Sequence, residues 1–145
     1  MAAAGSTFTG WGGVCTGSTT CSVTMSAARA VTSTFNVNSA TFTDNPLVAG
    51  QTVMKAAHIT ELRTAINAAR TRNGLTAVAW TDPTLTAGVT GIKAIHITEL
   101  RTALNQVYTK LGRVLPAYTD PTLTAGTSSK AAHIQELRNA VSSLP

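Results

Sequence analysis

The chain has 145 residues, a formal charge of +5, only 12% charged and 5% aromatic residues, and abundant Thr, Ala, Ser and Gly. Aliphatic content this high with charge this low describes a folded chain, not a disordered tail. Its basic residues are scattered, which argues against a nucleic-acid surface, and no apolar run reaches the roughly 18 to 20 residues that span a bilayer.

Residues 5–35, GSTFTGWGGVCTGSTTCSVTMSAARAVTSTF, alternate Thr, Val and aromatics between Gly and Ser breaks. That chemistry predicts strands near 6–11, 21–25 and 30–37. Cys15 and Cys21 lie six apart within this segment. A local disulfide and an oxidising compartment are the expectation, with free thiols or half of a metal site as the alternatives. The N-terminus MAAAGSTFTG has neither a charged n-region nor an apolar h-region, so an export signal, if there is one, is expected upstream of Met1.

The remainder is a three-fold repeat. KAAHITELR (55–63), KAIHITELR (93–101) and KAAHIQELR (130–138) each follow a connector, TFTDNPLVAG (41–50), AWTDPTLTAG (79–88) or AYTDPTLTAG (117–126), the connectors being offset by 38 residues. Self-similarity of this period signifies stacked units that bury their apolar faces on one another. Apolar residues at three- and four-residue spacing, such as Ile59, Leu62 and Ile66 or Ile97, Leu100 and Leu104, predict helices at 54–73, 92–111 and 129–142. Gly74 and Gly112 provide the stops, Thr52, Thr90 and residues 127–129 the N-caps, and Asp82-Pro83 and Asp120-Pro121 the start of a single helical turn in each connector. The expected fold is therefore α+β. A partial β module (1–38) precedes an α-rich array (39–145) of units 39–76, 77–114 and 115–145, with a shared core of Phe42, Trp80, Tyr118, Leu47, Leu85, Leu123, Ile59, Leu62, Ile97, Leu100, Ile134 and Leu137.

Two resemblances bear on location. Phe8, Gly10, Trp11, Gly13 and Cys15, then Cys21, Val23, Thr24 and Met25, and finally Ala28, Val31, Thr32 and Phe35 resemble the C-terminal half of the divergent internalin-type B-repeat, a small β module of bacterial secreted and surface proteins. The resemblance implies further strands before residue 5, whose absence would leave an open sheet edge. From about 40 to 142 the chain is similar to WTDPxLxxGxTxIKAxHIxELR repeats in the C-terminal parts of large secreted bacterial proteins, a class that implies a location and no catalytic residue.

One constellation looks chemical. His58, His96 and His133 each stand three residues before Glu61, Glu99 and Glu136, on one helix face, and are weak candidates for metal ligands. No unit has a second histidine in an H-E-x-x-H arrangement, and stacked units would hold equivalent histidines about 10 Å apart. A structural bond from each histidine to a connector carbonyl or aspartate is preferred, and ion pairs from Arg63 or Arg101 to Asp82 or Asp120 are expected between units. No nucleophile elbow, P-loop or dinucleotide fingerprint occurs. The sequence therefore points away from an enzyme, with no catalytic residue and no cofactor.

A half sheet at one end and an uncovered third helix at the other suggest head-to-tail self-assembly into an extracellular fibre, tube or surface layer. The alternative is a spacer or binding module of a larger secreted protein that takes a cell-wall glycan or another ligand on Phe42, Trp80 and Tyr118.

Overall fold

The computed structural model describes residues 6–37 and 40–145. They form strands β1 (Ser6–Gly13) and β2 (Val31–Val37), then helices α1 (Ala56–Arg72), α2 (Ala94–Lys110) and α3 (Ala131–Ser142). The expected α+β class, an incomplete sheet followed by three helices, holds. No helix among the described residues is long and apolar enough to cross a membrane. The chain divides into two compact units, Met1–Ser39 with Ser142–Pro145, and Ala40–Val141. The boundary expected between residues 38 and 39 falls outside the described residues.

In the first unit β1 and β2 pair antiparallel, with Phe8 opposite Phe35, Trp11 opposite Ser33 and a bulge between Phe8 and Gly10. The third expected strand, 21–25, is irregular. Its neighbours 15–21 are instead tied back to β1: Cys15 and Cys21 form a disulfide, the Trp11 amide donates to the Gly17 carbonyl (2.8 Å), and the Trp11 indole donates to the Thr19 carbonyl (2.7 Å). A chain anchored by a short covalent loop to one side of β1 does not lie in register as a strand. Gly13 has a φ of +83°, and a Cβ there would stand 2.2 Å from the Ala30 carbonyl oxygen, so the hairpin needs glycine at this position.

In the second unit the helices lie within two residues of expectation. Gly74 and Gly112, at φ +69° and +63°, end α1 and α2 by reversing the chain, and Leu75 and Arg113 then donate to the carbonyls of Arg70 and Tyr108 (2.9 Å each). The N-caps differ from expectation. Thr52 and Thr90 accept from the amides of Val48 and Thr86 in the turn before the helix, and Lys55, Lys93 and Lys130 immediately precede the helices. Each lysine amide donates to the Nδ1 of the histidine three residues on, while that histidine's amide donates back to the lysine carbonyl. Histidine thus closes the reciprocal cap usually made by glutamate. No helical turn forms at Asp82-Pro83 or Asp120-Pro121. Asp44, Asp82 and Asp120 instead adopt left-handed backbone conformations (φ +52°, +48° and +48°), which aspartate tolerates better than most residues.

The helices bury Ile59, Leu62, Ile66, Ile97, Leu100, Leu104, Ile134 and Leu137 completely. Phe42 and Leu47 are buried as well, whereas Trp80, Tyr118, Leu85 and Leu123 are half-buried in the equivalent places. Helix-to-helix bonds run from Arg70 of α1 to the Ala103 carbonyl of α2 (2.9 Å) and from Tyr108 of α2 to the Ala140 carbonyl of α3 (2.9 Å).

The array is not open at its third helix. Arg138 of the last unit reaches the Thr43 and Asp44 carbonyls of the first (2.8 and 3.2 Å) and lies 3.5 Å from the Glu61 carboxylate of α1. Gln135 accepts from the Leu47 amide (3.0 Å), 88 residues away. The last unit therefore clasps the first, and the three units close into a ring. The equivalent residues Met54, Ile92 and Ser129 meet in one depression of about 630 Å³ where the helices begin. A ring of equivalent units has no terminal face to cap, unlike an open stack.

Candidate functional site

The repeated constellation converges at each connector. Its left-handed backbone turns the Asp carboxylate toward the following helix, where Oδ2 accepts from a lysine Nζ and a histidine Nε2. The distances are 2.6 and 3.1 Å at Asp44, 2.7 and 3.0 Å at Asp82, and 2.5 and 3.0 Å at Asp120. The lysine bonds first and the histidine bonds second hold all three carboxyls below the ordinary carboxylate range. His58, His96 and His133 are fully buried. Each accepts a backbone N–H at Nδ1, which places the ring proton on Nε2, facing the aspartate. The expected bond from histidine to a connector aspartate is therefore present three times.

Glu61, Glu99 and Glu136 do not join their histidines. Each carboxylate accepts from the amide and hydroxyl of the connector threonine in its own unit: Glu61 from Thr43 (3.0 and 2.5 Å), Glu99 from Thr81 (3.2 and 2.5 Å), and Glu136 from the Thr119 amide (3.0 Å) and hydroxyl. The weak metal candidates are thus separated into two different hydrogen-bonded sets, and no group of three or more potential ligands forms among the described residues.

The arginines contact the aspartates expected between units, though through the backbone carbonyls and not as ion pairs with the carboxylates. Arg63 donates to the Thr81 and Asp82 carbonyls (2.6 and 2.9 Å) and Arg101 to those of Thr119 and Asp120 (2.7 and 2.8 Å), in the same geometry as Arg138 on the first connector. The aspartate carboxylates are already taken by lysine and histidine, so each arginine fork reads two successive backbone carbonyls instead. The nearest interunit carboxylates are glutamates, with Arg101 3.9 Å from Glu136 and Arg138 3.5 Å from Glu61. Each guanidinium also lies over the connector aromatic: Arg63 over Trp80 (5.4 Å), Arg101 over Tyr118 (4.6 Å) and Arg138 over Phe42 (4.9 Å). Asp, His, Lys, Thr and Glu thus fasten each connector to its own helix, and Arg fastens that connector to the preceding helix in the ring. The arginines were not singled out as a cyclic set from the sequence. The one local signal of closure is Gln135, which stands where the other units have Thr60 and Thr98.

The hairpin offers a different kind of site. On one face Phe8 contacts Trp11 (ring centroids 4.9 Å) and Phe35 (5.5 Å), while Val31 and Phe35 remain 40% and 41% exposed. The segment 15–21 lies along the outer side of β1 at Trp11, whereas residues 31–35 of β2 are all exposed. In comparisons with protein-family models, curated proteins and solved structures, none matches this chain.

Proposed function

We propose that the protein is an extracellular structural protein that works by associating with copies of itself, and that its helical ring is a self-supporting block with no reaction of its own. The observation that carries this reading is the contrast between the two units. In the ring the repeated polar groups are consumed in fastening the connectors. In the hairpin a two-stranded sheet, marginal by itself in water, leaves an uncharged strand and part of an aromatic face exposed. The Cys15–Cys21 disulfide suits an oxidising compartment, and the resemblance of residues 5–35 to a surface-protein β module points the same way.

The histidines support a structural role, because both ring nitrogens are committed, one to a backbone N–H and one to aspartate, which leaves no basic nitrogen to take a proton from a substrate. The aromatic positions support no glycan platform, because Phe42 is buried and an arginine covers one face of each of the three rings. Closure of the ring also moves any assembling surface away from a terminal helix. Sedimentation velocity of the oxidised chain over a hundredfold concentration range tests the proposal. A mass that rises with concentration is expected, and a monomer throughout would overturn it.

A further inference from the structure

We infer that the assembling surface is the outer edge of β2, and that its partner is β2 of a second copy, paired antiparallel about a two-fold axis at Ser33. The inference rests on the proposed self-association and names the contact that performs it.

The hydrogen-bond pattern identifies the free edge. Trp11 sends its amide to Gly17, away from β2, so Trp11 and Ser33 form a pair that exchanges no backbone bonds. The backbone groups of Ser33 therefore point away from β1, and by alternation so do those of Val31 and Phe35. Two neighbouring bonds agree with this phase: the carbonyls of Thr34 and Ala30 face β1 and accept from the Thr9 hydroxyl (3.0 Å) and the Val14 amide (3.1 Å).

The strand V-T-S-T-F-N-V (31–37) has neither charge nor proline and no bulge on its own side of the ladder, so it lacks the usual devices that keep an edge from pairing. It is also complementary to itself. An antiparallel pairing of outward-facing residues centred on Ser33 sets Val31 of each copy opposite Phe35 of the other and Thr32 opposite Thr34. These are an aromatic with a β-branched residue and a threonine with a threonine, both favourable cross-strand combinations. Residues opposite one another share a face, so Phe8, Trp11, Val31 and Phe35 of the two copies would form one continuous apolar surface across four strands. The contact is isologous and closes at two copies. A fibre, tube or layer then needs a second contact elsewhere.

The test uses the full oxidised chain and three variants, read by sedimentation velocity and non-reducing mass spectrometry. Ser33→Cys places a thiol on the axis with Cα atoms about 5.5 Å apart, within disulfide reach, and is expected to cross-link two copies. Thr34→Cys, whose equivalent lies about 8 Å away across the axis, is expected not to. Ser33→Lys sets like charges directly opposite one another and is expected to weaken association about fivefold while leaving the β1–β2 ladder intact. Association that persists in Ser33→Lys, with no Ser33→Cys cross-link, overturns this pairing and leaves self-association standing. A wild-type chain that stays monomeric overturns both.

Discussion

Replacing Arg138 with alanine separates a closed ring from an open stack. Arg138 is 1% exposed, donates to two carbonyls of the first connector, lies 3.5 Å from Glu61 and covers the Phe42 ring. Removing one partner from a buried, charge-assisted set costs about 3 to 5 kcal/mol. For a cooperative unit of about 100 residues that corresponds to a fall in Tm of roughly 15 to 25 °C. Arg63→Ala and Arg101→Ala remove the equivalent clasps and should cost the same to within about 1 kcal/mol, because the same carbonyl pairs and an aromatic ring are uncovered in each. In an open stack Arg138 would project from the last unit into solvent, where truncation costs less than about 0.5 kcal/mol. Urea denaturation followed by helical circular dichroism measures all three. A negligible loss for Arg138→Ala beside losses of several kcal/mol for the other two would refute closure.

Acid should weaken the ring over a defined range. The carboxyls of Asp44, Asp82 and Asp120 are lowered in the folded chain by the lysine and histidine bonds, so below about pH 4 the unfolded chain binds more protons. Their contribution is complete above that value and is lost as pH falls toward the lowered folded values. Asp82→Asn should flatten this dependence of the urea midpoint, and a loss centred near pH 6 would contradict the assignment. Gly13→Ala should disrupt the hairpin, seen as a change in Trp11 environment with the helical signal retained, because the added carbon meets the Ala30 carbonyl at 2.2 Å; an unaltered hairpin would refute the steric argument. Burial pushes Tyr118 up to about 12, so its tyrosinate absorbance, isolated as the difference between wild type and Tyr118→Phe, should appear near that pH; ionisation near pH 10 would mean an exposed ring.

Helix positions were legible because their evidence is local: Ile59, Leu62 and Ile66 share a face, and Gly74 must end α1. The disulfide and the histidine-to-aspartate bond were legible for the same reason, being short-range and, for the latter, repeated. Closure was not, since the rotation between successive units is set by how helices cross, and its one local mark is a single departure from the repeat, Gln135 in place of Thr60 and Thr98. Arg63 and Arg101 read as formers of ion pairs between units until the carboxylates of Asp82 and Asp120 prove to be held by lysine and histidine. The N-caps were misplaced because Thr52 and Thr90 are good capping residues in isolation, whereas His58 and His96 at the third helical position take that role. The strand expected at 21–25 failed because the disulfide and the Trp11 bonds hold the chain just before it against β1.

Closure is tested most directly at the Leu47 amide, which donates to Gln135 88 residues away. Hydrogen exchange followed by NMR should show this amide protected in the wild-type chain and released in Gln135→Ala, with the α1 and α2 amides unchanged. Exchange of Leu47 at the rate of an unprotected loop in the wild type, indifferent to Gln135, would contradict the ring.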